Sequence, residues 1–188
     1  MIPYTIERRP ETGLTNVALG MWLFIASEVM LFGGLFSAYA LLRFSSPDWP
    51  SGLTILDLEF GLANTLVLAV MTVVSWQARR APIDRARRHL LVSSGLAAVF
   101  LSIKAVEYSG EIGRGLVPSV STFLAMYFTL TGLHALHVVA GLVANLWAYA
   151  GAPAVGEAMT RGRLRSLALY WAFVDVVWVI ILVSMYVA

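Results

Sequence analysis

Long uninterrupted apolar runs constrain this chain more than anything else in it. A run such as 176–183 does not alternate in polarity, as a barrel strand facing lipid on one side must, so the segment reads as a helix buried in an apolar medium. Five stretches, 17–42, 58–78, 90–108, 122–149 and 166–187, are each long enough to cross a hydrocarbon core of ~30 Å, which takes ~20 apolar residues. With 59% hydrophobic and 13% charged residues, the composition departs from that of a soluble domain in the same direction. The expected fold is all-α: one polytopic transmembrane domain over 1–188, a bundle of five helices.

Orientation follows from the connections. Arg8, Arg9, Arg79, Arg80, Arg85, Arg87, Arg88, Arg161, Arg163 and Arg165 fall on one side, against Arg43 and Arg114 on the other. The positive-inside rule therefore predicts a cytoplasmic N-terminus and an external C-terminus. The arm before the first span is too long for a signal peptide and shows no convincing cleavage site, so that span is read as retained. No Cys occurs, which excludes disulfides, thiolate metal sites and cysteine nucleophiles. Five spans cannot divide into equal inverted halves, and the short loops leave no room for an extramembrane catalytic domain. Nothing points to nucleic acid. The Arg-rich segment 77–89 reads as a solvated topology signal in preference to a lipid site.

Within the apolar runs lie Glu28, His134, His137 and Asp175, residues that hydrocarbon penalises by several kcal/mol, at about 2.5–3.5 kcal/mol for an acidic or basic side chain on insertion scales. Counting ~1.5 Å of rise per residue from the Arg-rich side puts Asp175 at ~15 Å, Glu28 at ~18 Å, His137 at ~20 Å and His134 at ~24 Å, one broad layer. His134 and His137, three apart, are expected on one helix face. Hydrogen bonds to a helix carbonyl, Thr131, Tyr127 or a carboxylate are preferred for them over a metal site. With His89 as the third and last imidazole, the chain cannot house a haem–copper centre alone.

Lys104 and Glu107 have the spacing of a same-face ion pair, and Asn64 and Thr65 that of interhelical hydrogen-bond residues. Gly20, Ser27 and Gly34, seven apart and joined by Gly33, predict close packing on the first helix, as do Gly132 and Gly141 on the fourth. Trp22, Trp49, Trp76, Trp147 and Tyr186 are placed as interfacial anchors. Trp171 and Trp178 flank Asp175 too deeply for that role and are read as core, with a partner-helix contact or an acyl-chain groove as alternatives.

The stretches GMWLFIASEVMLFGGLFSAY, YFTLTGLHALHVVAGL and LYWAFVDVVWVIILVSMY, with LANTLVLAV, RRHLL and KAVEYSGEI in order between them, resemble subunit III of haem–copper cytochrome c oxidases from Gly20 onward. The resemblance implies a non-redox subunit without catalytic residues or cofactors of its own. It would pack on the haem- and copper-bearing subunit I, bind phospholipids, sustain proton uptake and dioxygen access, and reside in a bacterial plasma membrane. It matches Glu28 to a buried carboxylate that reacts with hydrophobic carbodiimides. It likewise matches His134 and His137 to the family's histidine pair, Asp175 to its FVDVVW acid, and Glu107 and Tyr108 to its Glu-Tyr pair. Two departures stand out: the first helix pair of the longer, seven-helix form is absent, and Ala172 replaces a usual His. Rival readings are the equivalent subunit of a quinol oxidase or nitric oxide reductase, a small proton or cation channel, and an independent membrane metalloenzyme.

Overall fold

The computed structural model describes residues 7–187. All of the regular structure in that range is helical: α1 (Asn16–Ser45), a single turn α2 (Gly52–Ile55), α3 (Leu58–Ala78), α4 (Ile83–Gly113), α5 (Thr122–Gly151) and α6 (Glu157–Ile181), which continues as a π-helical segment (Leu182–Val187). Five of these are long and apolar enough to cross a membrane. The second span, α3, matches its expected bounds. α4 begins seven residues before the expected span and α6 nine, because the Arg-bearing segments at their starts are amphipathic helix that a search for apolar runs passes over. α2 is a turn no such search detects.

Local chemistry sets the ends. Thr15 caps α1 by accepting from the Ala18 N–H at 3.3 Å, and Ser121 caps α5 by accepting from Leu124 at 3.2 Å. α4 ends at Gly113, and just beyond it Gly115 takes a φ of 77° that is open to glycine: the Leu116 N–H donates to the Glu111 carbonyl and Gly115 to Ile112, both at 2.9 Å. Asp57, at the start of α3, pairs across to Arg114 at 3.0 Å.

α3, α4, α5 and α6 pack in a ring, each against the next and α6 back on α3; α1 leans on the outside, chiefly against α6 and less against α5. Burial grades accordingly, from 11% of the most apolar window of α1 to 56% of that of α6 and its π extension. The main core runs through Phe100, Tyr127, Leu130, Val138, Trp171, Trp178 and Tyr186. A smaller cluster built on Ala78, Ala81, Ala86 and Ala148 closes the Arg-rich end, where small side chains bring α3, α4 and α5 together. Outward-facing Leu23, Met30, Leu66, Val106, Leu136 and Val176 form the apolar exterior that a lipid-facing bundle needs.

At Gly141 α5 and α6 approach closely: a Cβ there would lie 2.5 Å from the Trp171 ring. Gly20, Gly33 and Gly34 differ, with open space where their Cβ atoms would be, so the small-residue stripe of α1 faces away from the bundle. Trp22, Trp76 and Trp147 are exposed and Trp49 is half-buried between Tyr39 and Phe123. Tyr186 corrects the expectation of an interfacial anchor: it is fully buried, drawn inward by the π segment and by polar partners on α4 and α5.

Candidate functional site: two polar clusters within the bundle

The first cluster joins α1 to α5. Glu28 Oε2 lies 2.8 Å from His137 Nε2, and His137 Nδ1 lies 2.8 Å from the Leu133 carbonyl. A carbonyl can only accept, so Nδ1 carries a proton and donates it. The short Nε2–Oε2 contact then needs a proton of its own, from an imidazolium donating to a carboxylate or a carboxylic acid donating to a neutral imidazole. Either way the couple has zero net charge, the cheapest state for two ionisable groups at this depth. Tyr170 of α6 donates to the His137 carbonyl at 2.6 Å, and Phe32 packs on the imidazole with centroids 5.1 Å apart. The couple is not sealed: its side chains keep 14% and 12% exposure for Glu28 and His137.

The second cluster lies inside the four-helix ring, toward the end opposite the arginines. Lys104 Nζ donates to Glu107 Oε2 at 3.0 Å, to Tyr127 at 3.1 Å and to Tyr186 at 2.9 Å, which uses all three ammonium hydrogens. Tyr127 and Tyr186 in turn donate to Glu107 Oε1, the first at 2.8 Å. The Tyr108 and Tyr127 rings lie 4.8 and 5.0 Å from the ammonium and add cation–π attraction. A charged pair this buried is tolerable only when each charge is paired and its remaining valences are filled, as they are here. Thr131 donates to the Tyr127 carbonyl at 2.6 Å, which leaves Tyr108 as the donor in its 2.6 Å contact with Thr131.

The structure separates the two histidines that spacing alone put on one face. His137 reaches α1, while His134 is fully buried between Phe100 and Trp178 with ring centroids 5.5 and 5.2 Å away. Three residues is short of a full helical turn, and the 60° between the side chains suffices to send them to different neighbours. Among the described residues no group of three or more His, Cys, Asp or Glu could hold a metal. Asp175 lies on another side of α6, half-buried against Thr72 of α3, so it does not join Glu28.

Trp171 and Trp178 are wholly inside the bundle, which removes the acyl-groove alternative for them. Trp178 donates to Thr65 at 2.9 Å. Asn64 is fully buried, and its amide has no hydrogen-bond partner among the described residues. Trp171 donates to Asn145 at 3.2 Å, and Asn145 donates to Ser93 at 2.8 Å, a relay that sequence reasoning missed because single polar residues on three helices give no local signal.

A family model for cytochrome c oxidase subunit III matches residues 10–188. The chain belongs to that family. Subunit III of the cytochrome bo(3) ubiquinol oxidase of Pseudomonas aeruginosa is 33% identical, over 91% of this chain and 84% of the relative. Cytochrome c oxidase subunit 3 of Thermostichus vulcanus is 32% identical, over 90% and 86%. A haem–copper oxidase subunit I+III of Aeropyrum pernix, with both subunits in one chain, is 31% identical over 88% of this chain and 22% of its own length. This is therefore a subunit III of the haem–copper oxidases, a multi-pass protein of a bacterial respiratory membrane.

Proposed function

We propose that the chain serves as the non-redox subunit III of a bacterial cytochrome c oxidase. In this reading it packs on the catalytic subunit I, which carries the haem and copper, steadies that subunit and its bound phospholipids, and supports proton uptake and dioxygen access during turnover. It has no active site of its own. The observation that carries the reading is the family match over residues 10–188. The fused I+III relative supports the choice of partner, since two functions joined in one polypeptide work side by side. The Glu28–His137 couple gives the role a physical basis: a neutral, hydrogen-bonded joint fixes α1 to the bundle without leaving a charge in the membrane.

A second reading, the same role in a quinol oxidase, is favoured by the ubiquinol-oxidase relative at 33% identity. One preparation tests both. The chain is captured from native membranes in mild detergent, a reduced-minus-oxidised haem spectrum is recorded, and oxygen consumption is followed with reduced cytochrome c and then with ubiquinol. Haem co-purifying with activity on cytochrome c supports the first reading, and activity on ubiquinol alone the second. A colourless, solitary five-helix protein overturns both and returns the channel hypothesis, which reconstituted conductance would test.

A further inference from the structure

Two carboxyls approach Lys104, and its ammonium neutralises only one of them. Lys104, Glu107 and Glu111 stand at i, i+3 and i+7 of α4, one stripe turned into the four-helix ring, and all three are buried. Glu111 has no exposure at all, and neither of its carboxyl oxygens has a hydrogen-bond partner among the described residues. The donors of the cluster are spent elsewhere. All three hydrogens of Lys104 go to Glu107, Tyr127 and Tyr186. The hydroxyl hydrogens of Tyr127 and Tyr186 both go to Glu107 Oε1, and that of Tyr108 goes to Thr131. Arg114, just beyond the helix, pairs with the exposed Asp57 at 3.0 Å.

Charge balance points the same way as the donor count. Lys104 and Glu107 sum to zero, so an ionised Glu111 would leave one negative charge uncompensated in an apolar interior, a state that a buried acid avoids by keeping a proton. Glu111 also occupies the last turn of α4, where the negative end of the helix dipole opposes a carboxylate and no basic residue offsets it.

We propose that Glu111 is a proton-binding site at the end of the bundle opposite the arginines, protonated at neutral pH and donating to the Tyr127 hydroxyl oxygen. A carboxylic acid brings with it the hydrogen that its surroundings do not supply. Tyr127 lies against Glu111, and its oxygen, which accepts from Lys104, has a second lone pair to offer. The titratable groups facing the site are Lys104, Glu107 and Tyr108 of α4, Tyr127 of α5 and Tyr186 of the π segment, with Arg114 and Asp57 at the rim. With Glu111 protonated they carry no net charge. Once the proton leaves, Glu111 competes with Glu107 for the Tyr127 hydrogen, so its occupancy bears on the contacts that tie α4 to α5. This goes beyond the role proposed above and holds whichever electron donor the oxidase uses.

The test uses the complete oxidase in mild detergent. The infrared spectrum of the wild type minus that of Glu111→Gln is expected to show the carbonyl band of a protonated carboxyl at neutral pH and to lose it as the pH is raised. Gln is neutral and can donate to Tyr127 in the acid's place, so this variant should keep its haem content and its unfolding midpoint at neutral pH. The stabilisation belongs to the protonated form and is lost as pH rises, so alkaline pH should lower the wild-type midpoint more than that of Glu111→Gln; the titration of Lys104 is common to both and cancels. If Glu111→Gln does not assemble, the wild type minus Tyr127→Phe decides, because an acid that keeps its proton but loses its acceptor gives a paired loss and gain within the carboxyl band. Absence of that band from the difference spectra means an ionised Glu111 and overturns the site. A neutral-pH midpoint that falls when sodium and potassium are replaced by a bulky organic cation in the wild type, but not in Glu111→Gln, also overturns it, with a metal cation in the proton's place.

Discussion

The Glu28–His137 couple and the Lys104–Glu107 cluster are both ion-pair contacts in an apolar surround, yet they are built to opposite specifications. Lys104 and Glu107 come from one helix, are sealed in the ring, and fill their hydrogen-bonding capacity with Tyr127 and Tyr186 from two others. Glu28 and His137 come from different helices, retain some exposure, and hold each other at the edge where α1 leans on the bundle. The difference separates a permanent fixture from a joint. Full charge is kept where three helices can surround it, and a pair whose proton can sit on either partner is kept where one helix lies on the outside of the rest.

That contrast can be broken most severely at Glu107. Replacing it with Leu strands the Lys104 ammonium among aromatic rings, and a loss of about 3–5 kcal/mol is expected, seen as a large fall in the unfolding midpoint of the purified complex. The double replacement Lys104→Met/Glu107→Leu should recover much of that loss; no recovery would show that the tyrosines, and not the charges, hold the cluster. Next in size is Gly141→Val, which forces a side chain into the Trp171 ring and should cost about 1–3 kcal/mol by the same measurement. Gly33→Val, facing open space, should leave the bundle's own stability unchanged.

At the joint, Glu28→Gln lets an amide N–H donate to Nε2 and should cost only about 0.5–1.5 kcal/mol. It should nonetheless abolish labelling of the subunit by a hydrophobic carbodiimide, read by intact-mass analysis. Labelling that persisted would place the reactive acid elsewhere and erase the distinction between joint and fixture. The smallest effect belongs to the exposed Arg114–Asp57 pair, where Arg114→Ala should change stability by less than about 1 kcal/mol and vanish into the baseline at high salt.

Sequence carried some of this further than the rest. The second span is legible to the residue because apolar content starts and stops with the helix, and Lys104–Glu107 is legible because three-residue spacing along a helix is itself a geometric statement. Glu28 stood out through its cost in lipid, but its partner did not, since 109 positions separate it from His137. Tyr186 was misplaced for the same reason. Proximity to the end of a span suggests an interfacial ring, and only the π segment and the approach of α4 and α5 reveal a core residue. The first turns of α6 were hidden because arginines on an amphipathic helix look like a loop to a search for apolar runs.

One property of the joint reaches past stability. A field across the membrane does work on net charge, about 2.3 kcal/mol per elementary charge for each 100 mV. A carboxyl and an imidazole sharing one proton present none, and passing that proton between them shifts charge only across a 2.8 Å contact. The attachment of α1 is thus nearly blind to voltage, and it should hold with the same strength in a resting membrane as in one fully energised by respiration.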